Sequence, residues 1–271
     1  YIDAFDDSEA EFKVLIEMIE KQEILQSEEE KQLLFQLISK IADNHHRSAN
    51  FFGKLEKLIS FLIKDKPKNI SQIIPEYLTY NKRLLLFLFE KEFVIPDQLF
   101  LTHYFEQTRS IKNFPDSQYF YYLYPGIKKY IDEATCNTIE HEISEELDET
   151  IESFDKKCQI GENDSYICSL IRQDSVKEFI MHVNSTNLSL ESKIKPSLFE
   201  TNDFLNKKVT TLIEYATFYG SIQIVQYLKN MGVTITLSLW PYAIHSNNPE
   251  IIHLIEENAN VQQDTKNIKK T

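Results

Sequence analysis

One stretch of the chain, TLIEYATFYGSIQIVQYLKNMGV at residues 211–233, returns in a weaker form 27 residues further on. Sliding Ala216 onto Ala243 (243 − 216 = 27) also brings Gly220 onto Asn247. Glycine and asparagine tolerate a positive φ better than other residues, so both stretches are expected to turn at that position. The overlay therefore predicts a repeated unit of two helices joined by a short turn.

The second helix of this unit has apolar residues on two of its faces. At helical spacing, the first stripe contains Ile222, Val225 and Leu228. The second stripe contains Ile224, Tyr227 and Met231. A fully buried Ile or Leu side chain stabilises a fold by roughly 1.5–3 kcal/mol, and a single hairpin would leave one stripe in water. The pattern predicts neighbouring hairpins, and similar stretches occur upstream at LIRQDSVKEFIMHVN (170–184) and, more weakly, at LTYNKRLLLFLFEKEFV (78–94).

The N-terminal half of the chain also has helical rather than strand periodicity. Ser8 and Ser27, each followed three residues later by glutamate, fit the capping box that begins many helices. Only 5 Gly and 8 Pro occur in 271 residues, which is too few for the many tight turns of a β-sandwich or barrel. We therefore expect an all-α protein in which a helical-repeat stack with shortened hairpins follows a helical N-terminal region.

Composition and pattern divide the chain into four segments. Residues 1–155 form the helical N-terminal region, and residues 156–164 (KKCQIGEND) are expected to be a linker because Gly, Asn and Asp favour turns. Residues 165–258 hold the repeats, and residues 259–271 form a polar tail. One acidic helix is expected over Glu140–Asp155, and its charged face is interpreted either as a solvated surface or as a docking face for a basic partner.

Residues 220–233 resemble the second-helix half of an ankyrin repeat, with the small residue Ala216 four positions before the turn. The chain departs from that family at Thr211–Glu214, where a Thr-Pro-Leu-His turn is usual, and its 27-residue spacing is shorter than the usual ~33. Over residues 163–258, and more weakly over 15–131, it is similar to a family of degenerate ankyrin-like proteins of parasitic protists. The segments that carry this similarity are YICSLIRQDSVKEFI, SKIKPSLFETN, TLIEYATFYGSIQIVQYL and LWPYAIHSNNPEIIHLIEEN. Membership of this ankyrin-superfamily group implies an ankyrin-like helical stack and implies no activity.

The charge balance argues against two classes of partner. The formal net charge is −13, and the clusters of Lys and Arg that bind nucleic acid or anionic membranes are missing from the sequence. The longest apolar runs are far shorter than the ~20 residues of a membrane-spanning helix. We therefore expect neither a nucleic-acid nor a membrane partner, whereas a basic protein partner fits the acidic balance.

The sequence offers no catalytic or metal-binding motif. HExxH, GxSxG and the glycine-rich phosphate-binding motifs do not occur in it. Cys136, Cys158 and Cys168 include no CxxC pair, which argues against a metal site or disulfide framework and favours a reducing, cytoplasmic compartment. The adjacent His45 and His46 are interpreted as part of a polar turn. We expect a monomeric, intracellular, non-enzymatic protein without a cofactor or bound metal.

Stacked helix pairs usually bind other proteins through an extended surface, which here is expected on the first helices. The candidate contact residues on that face are Glu214, Thr217, Phe218, Tyr219, Trp240, His245 and Ser246. The alternative hypothesis is an enzyme or small-molecule receptor with a pocket in the N-terminal region, around His103, Tyr104 and Tyr119–Tyr124. It requires converging polar groups and a titratable residue with a strongly shifted pKa.

Overall fold

The computed structural model describes residues 9–21, 28–44, 51–63, 68–69, 81–107, 118–206 and 209–268. Over these ranges the protein is mostly helical, with 15 α-helices and two very short strands, which confirms the all-α prediction. The chain divides into two compact units. The first comprises residues 1–162 and 198–203, and the second comprises residues 163–197 and 204–271.

The described part of the first unit contains eight α-helices and a small parallel sheet. Its helices are α1 (Glu9–Lys21), α2 (Glu28–Asn44), α3 (Phe51–Leu62), α4 (Lys82–Glu90), α5 (Gln98–Gln107), α6 (Gln118–Ile127), α7 (Glu133–Leu147) and α8 (Ile151–Ile160). The strands β1 (Lys68–Asn69) and β2 (Val94–Ile95) pair in parallel, with Lys68 opposite Val94. A 3-10 turn over Lys128–Tyr130 lies between α6 and α7.

Helix α4 lies in the core of the first unit. Every side chain from Leu84 to Phe89 is buried, because the run LLLFLF makes the helix apolar all round. The helix begins after Asn81, whose side-chain oxygen accepts hydrogen bonds from two backbone N–H groups of the first turn. Helix α6 packs closely against α4 at Gly126, where a Cβ atom would lie 2.8 Å from the Phe89 Cβ. The close contact leaves no room for a side chain at that position.

The acidic segment forms two helices, not the single helix predicted over Glu140–Asp155. Helix α7 ends at Leu147, Asp148 takes a left-handed conformation with φ 54°, and Thr150 caps the start of α8. The apolar stripe of the segment still faces the core, where the buried residues are Ile139, Ile143 and Phe154. The apolar residues therefore face the core on both sides of the break between the two helices.

Two segment boundaries also differ from the expected ones. Helix α8 runs to Ile160, so the first part of the 156–164 segment is helix and not linker, and the boundary between units lies after residue 162. Helix α15 (Pro249–Ile268) covers most of the expected polar tail at 259–271. Both segments are rich in Lys, Gln, Glu and Asn, and these residues are compatible with helix when no Gly or Pro interrupts them.

The described part of the second unit contains seven α-helices. They are α9 (Tyr166–Arg172), α10 (Val176–Thr186), α11 (Asp203–Asn206), α12 (Leu212–Tyr219), α13 (Ile222–Asn230), α14 (Trp240–Ser246) and α15. Six of them form the helical hairpins α9–α10, α12–α13 and α14–α15. The first helix α12 packs between α9 and α14, and the second helix α13 packs between α10 and α15. The core of the unit lies between these neighbouring hairpins.

The turns of the three hairpins share one backbone conformation. Asp174, Gly220 and Asn247 take φ values of 49°, 74° and 46°. The overlay of Gly220 on Asn247 predicted a positive φ at both positions, and the structure confirms it. Asp, Gly and Asn are the residues that most readily adopt this left-handed region.

Hydrogen bonds at the turns join each hairpin to the next one. The Asp174 carboxylate accepts from two backbone N–H groups in the first turn of α13, both at 3.0 Å, and so caps a helix of the following hairpin. The Ser221 hydroxyl donates to the Ile171 carbonyl at 2.6 Å. One hairpin further, the Asn248 side-chain amide donates to the Gly220 carbonyl at 3.0 Å. These bonds set the register in which the hairpins pack.

Gly220→Val is expected to destabilise the protein by roughly 1–3 kcal/mol, because a β-branched residue is strained at a positive φ. Gly220→Asn is the matched control, and its free energy of unfolding should fall much less, since Asn247 already adopts a left-handed conformation at the equivalent turn. Urea denaturation followed by circular dichroism measures both changes. Equal losses would contradict the role of backbone strain, because a Cβ at this position meets no atom closer than 3.6 Å.

Candidate interaction surface

Helix α12 carries four of the seven predicted contact residues and begins with a capping box. The Glu214 N–H donates to the Thr211 hydroxyl oxygen (3.3 Å), and the Glu214 carboxylate accepts from the Thr211 N–H (2.8 Å) and hydroxyl (3.0 Å). Glu214 is 8% exposed. Its carboxylate therefore stabilises the start of the helix and does not face a partner, contrary to the prediction.

Three more of the predicted contact residues, Thr217, Phe218 and Ser246, are also buried. The Phe204 ring from α11 stacks on the Phe218 ring with 6.0 Å between their centroids. The Ser246 hydroxyl donates to a carbonyl of its own helix at 2.7 Å. Burial therefore removes Thr217, Phe218 and Ser246 from the expected contact face, and Phe204 of the long connection between α10 and α12 covers the Phe218 ring.

Phe204 is the residue of this surface that sequence reasoning missed. Its ring also lies against Tyr242 and His245, with centroid distances of 4.9 Å and 4.5 Å. The local sequence DFLN shows one aromatic residue among polar ones, which is only a weak signal of burial. The rings that it contacts lie far along the chain, so only the folded structure brings the four together.

The other three predicted contact residues, Tyr219, Trp240 and His245, are partly exposed. The Tyr219 and His245 rings both pack against the Phe218 ring, with centroid distances of 5.1 Å and 5.2 Å. The Arg172 guanidinium lies 6.0 Å from the centre of the Tyr219 ring. We call Tyr219 and His245 the aromatic rim. Partly exposed Tyr and His side chains combine an apolar ring with a hydrogen-bonding group, which suits contact with an apolar or aromatic side chain of another protein.

The N-terminal region, where the alternative hypothesis places a pocket, contains a buried polar cluster. Lys82 is 4% exposed, and its ammonium donates to the Leu198 carbonyl (2.5 Å) and lies 4.7 Å from the centre of the Tyr122 ring. Burial lowers the pKa of Lys82 to about 8, although the nearby Glu200 carboxylate favours the charged form. The Tyr122 hydroxyl donates to the Cys158 carbonyl, and burial raises the pKa of both the Tyr122 phenol and the Cys158 thiol.

These groups bond to one another and to backbone inside the core of the first unit. The Tyr121 and Tyr124 hydroxyls likewise donate to the Glu142 and Glu140 carboxylates. Burial and the bond to Glu140 raise the pKa of Tyr124. The side chains of His103, Tyr104 and Tyr119 lie outside the described part of the chain. The region thus contains a residue with a strongly shifted pKa, as the alternative hypothesis requires. That residue, Lys82, bonds to Leu198 and holds the 198–203 segment in the core.

Part of the acidic charge of the segment that contains α7, α8 and the turn between them is paired within the first unit. Lys128 forms an ion pair with Asp155 at 3.5 Å, and Lys157 pairs with Glu149. Burial raises the pKa of Asp155. Several acidic side chains of these helices are nevertheless exposed to solvent, among them Glu145, Glu146 and Glu152. A basic partner at this face stays a prediction.

Within the described ranges, no three His, Cys, Asp or Glu side chains are placed to hold a metal ion. None of the helices described there is both long and apolar enough to cross a membrane. Cys136, Cys158 and Cys168 have free thiols, the last two of them buried. His45 and His46, interpreted as a polar turn, lie outside the described residues.

No family model matches this chain, and no curated protein or solved structure matches it. The resemblance to ankyrin-like proteins therefore stays a prediction that rests on the residues quoted above.

The lowered pKa of Lys82 predicts that stability rises with pH. An unfolded lysine keeps its proton up to a pKa of about 10.4, whereas folded Lys82 releases its proton near pH 8. Between these values the unfolded state binds more protons at this lysine, so Lys82 contributes an increase in the free energy of unfolding as the pH rises from about 8 to about 10. The raised pKa of the Cys158 thiol contributes in the opposite direction. A shift of this size corresponds to on the order of 3 kcal/mol. Urea denaturation at a series of pH values measures the increase.

Lys82→Met is expected to remove this pH-dependent rise, whatever its effect on stability at neutral pH. Lys177→Met, which removes an exposed lysine from α10, controls for the loss of one positive charge. Lys177→Met should keep the rise, and a rise between pH 8 and 10 that persists undiminished in Lys82→Met would contradict the assignment to Lys82.

Thr217→Val is expected to stabilise the protein by about 1 kcal/mol, because it removes a buried hydroxyl that lacks a hydrogen-bond partner among the described residues. Thr201→Val is the matched control, since the Thr201 hydroxyl donates to the Gly161 carbonyl at 2.8 Å and its loss should destabilise. Thermal denaturation compares the two midpoints with the wild type. Destabilisation by Thr217→Val as large as that by Thr201→Val would show that the Thr217 hydroxyl is bonded.

Proposed function

We propose that this chain is a non-enzymatic protein-interaction module whose second unit is an ankyrin-like stack of helical hairpins. The packing order of the helices carries the proposal: first helices pack on first helices, second helices pack on second helices, and left-handed turns bond to the next hairpin. Stacks of this kind build a core between neighbouring repeats and present extended surfaces that bind other proteins.

The spacing of the turns explains why such a stack is irregular. Gly220 and Asn247 are 27 residues apart (247 − 220), whereas Asp174 and Gly220 are 46 apart (220 − 174). The longer spacing contains the connection with α11, which places Phe204 against the first helices of two hairpins. The expected binding face is therefore partly filled by the protein itself.

The proposed contact surface is accordingly smaller than the sequence suggested. It consists of the partly exposed residues Tyr219, Trp240 and His245 and leaves out the four buried candidates. Aromatic side chains at the centre of an interface often carry much of its binding energy. The partner we propose presents apolar or aromatic side chains to this surface.

The charge and cysteine chemistry complete the proposal. A net charge of −13 and the exposed glutamates of α7 and α8 favour a basic partner. Three free thiols favour a reducing compartment, so we place the protein in the cytoplasm as a monomer without a cofactor.

The test compares the proteins captured from native cell extract by the wild-type chain and by a variant with Tyr219→Ala and His245→Ala. The variant should reduce capture of a specific partner by about tenfold or more, equivalent to ~1.4 kcal/mol, because it truncates both rings of the aromatic rim. Quantitative mass spectrometry measures the captured proteins.

The matched control carries Met181→Ala and Met231→Ala, which truncate two exposed side chains outside the rim. Circular dichroism confirms that both variants keep their helical content. If every specific protein is captured equally by the rim variant and the control, the rim is not the contact surface.

A further inference from the structure

The hairpins α12–α13 and α14–α15 present corresponding faces to their neighbours. The 27-residue shift relates each residue of one hairpin to a counterpart in the other. We call the side toward the preceding hairpin the inner face and the opposite side the outer face. Inner-face counterparts are Tyr215 with Tyr242 and Ile224 with Ile251. Outer-face counterparts are Ile213 with Trp240, Thr217 with Ile244, and Val225 with Ile252.

Contacts with the preceding and following hairpins identify the two faces. On the inner face, the Tyr215 hydroxyl accepts a hydrogen bond from Arg172 of the preceding hairpin at 2.9 Å. In the first hairpin the counterpart of Val225 is Phe179 (179 + 46 = 225). Its ring packs against Tyr227 of the next hairpin, with 6.1 Å between centroids. The Val225 position therefore points toward the hairpin that follows.

Burial differs sharply between the outer faces of the hairpins. Thr217 and its counterpart in the first hairpin, Ile171 (171 + 46 = 217), are both fully buried. The corresponding residue of the last hairpin, Ile244, is 67% exposed. Trp240 and Ile252 are partly exposed, whereas their counterparts in α12–α13 are buried. The inner face is buried in both hairpins, so the difference concerns the outer face of α14–α15 alone.

The turn of the last hairpin has the same backbone conformation as the turn that bonds to the following hairpin. The Ile171 and Gly220 carbonyls accept hydrogen bonds from Ser221 and Asn248 of the following hairpins. Asn247 holds the Gly220 position in α14–α15, with the same left-handed backbone. The contact between successive hairpins of this unit therefore indicates what could pack on the outer face of the last one. The expected occupant is a helical hairpin with Ser or Asn at the start of its second helix.

The length of helix α15 argues against a further hairpin of this chain that follows α15 through a short turn, as α14 follows α13. Helix α13 has 9 residues and is followed by a turn at Gly232 with φ 95°. Helix α15 has 20 residues, and the counterpart of Gly232, Ala259 (232 + 27), lies within it. Alanine favours helix more than any other residue, whereas glycine favours the left-handed turn. The turn that leads from α13 to the next hairpin is thus replaced by continuous helix.

Charge argues against a second copy and indicates the chemistry of the partner. The partly buried Lys229 of α13 has the exposed Glu256 as its counterpart on α15. Two outer faces packed together would each carry an exposed Glu256, on chains that each have a net charge of −13, so this pairing would gain no opposite charge at that position. A hairpin with Lys or Arg opposite Glu256 would instead form an attractive contact.

We infer that the outer face of α14–α15, formed by Trp240, Ile244, Ile252 and Glu256, docks a basic amphipathic helical hairpin from a partner protein. This inference rests on the proposed function and adds the surface and the kind of partner. The apolar residues replace the packing that a following hairpin supplies to Thr217 and Val225. Glu256 selects a basic hairpin over an acidic one.

The test uses the full chain with a hairpin probe tethered behind residue 271 by a flexible Gly/Ser linker. The probe has the sequence of residues 234–258 with Trp240→Phe, so the chain's own Trp240 is the single tryptophan. A basic form of the probe changes Glu250, Glu256 and Glu257 to Lys, and an acidic form keeps them. Tethering holds the probe at an effective concentration of about 1 mM, so weak docking is also detected.

The basic probe is expected to shift the Trp240 emission to shorter wavelength and to reduce its quenching by acrylamide, and the acidic probe should do so less. Ile244→Lys in the chain should abolish both effects. Met181→Lys, at an exposed residue of α10, should leave them intact. Trp240 emission and quenching that neither probe changes would overturn the inference.

Two further measurements separate the possible occupants of this face. Sedimentation equilibrium of the untethered chain should show a monomer, and a dimer that Ile244→Lys dissociates would assign the face to a second copy and overturn the inference. In capture from native extract, a photocrosslinker at position 244 should link to a basic helical segment of a captured protein. A partner captured through the aromatic rim and unaffected by Ile244→Lys would preserve the proposed function and discard this docking face.

Discussion

The second unit depends on the fact that its hairpins have apolar side chains on opposite faces. Tyr215 and Ile224 on one side, and Val225 on the other, are buried only because a hairpin lies on each side of α12–α13. Loss of either neighbour would expose several large side chains, each worth roughly 1.5–3 kcal/mol of burial. Polar bonds at the turns then fix how far each hairpin is displaced from the next. Apolar burial supplies the stability, and the turns supply the register.

The long connection between α10 and α12 changes the surface that this stack offers. In a stack with uniformly short connections, the first helices would be open to other proteins. Here Phe204 covers Phe218 and contacts Tyr242 and His245, so the protein fills part of its own groove with aromatic packing. Tyr219 and His245 stay partly exposed beside Phe218, and the outer face of α14–α15 stays open. Binding by this protein is therefore expected at the margins of the stack.

The first unit is organised around a buried helix that contains charge as well as apolar side chains. Lys82 loses hydration on burial, and its bond to the Leu198 carbonyl, its position over Tyr122 and the nearby Glu200 offset part of that cost. The same interaction ties the 198–203 segment to the core of this unit. A shifted pKa is often a sign of a catalytic group, but here the surrounding bonds give it a structural explanation.

Local pattern alone determined the helical class, the left-handed turns at Gly220 and Asn247, and the apolar stripes that require neighbours, with the exception of Met231, which is 59% exposed. These features depend on residues a few positions apart, whose φ preferences and helical spacing can be read along the chain. The capping box of Thr211 and Glu214 has a local Thr-x-x-Glu pattern in the sequence. Only the tertiary structure decided that Phe204 covers the Phe218 ring and that residues 198–203 belong to the first unit. Each of these depends on which side chain wins a competition for burial or hydrogen bonding. Residues distant in sequence take part in that competition, so its outcome has no local signature.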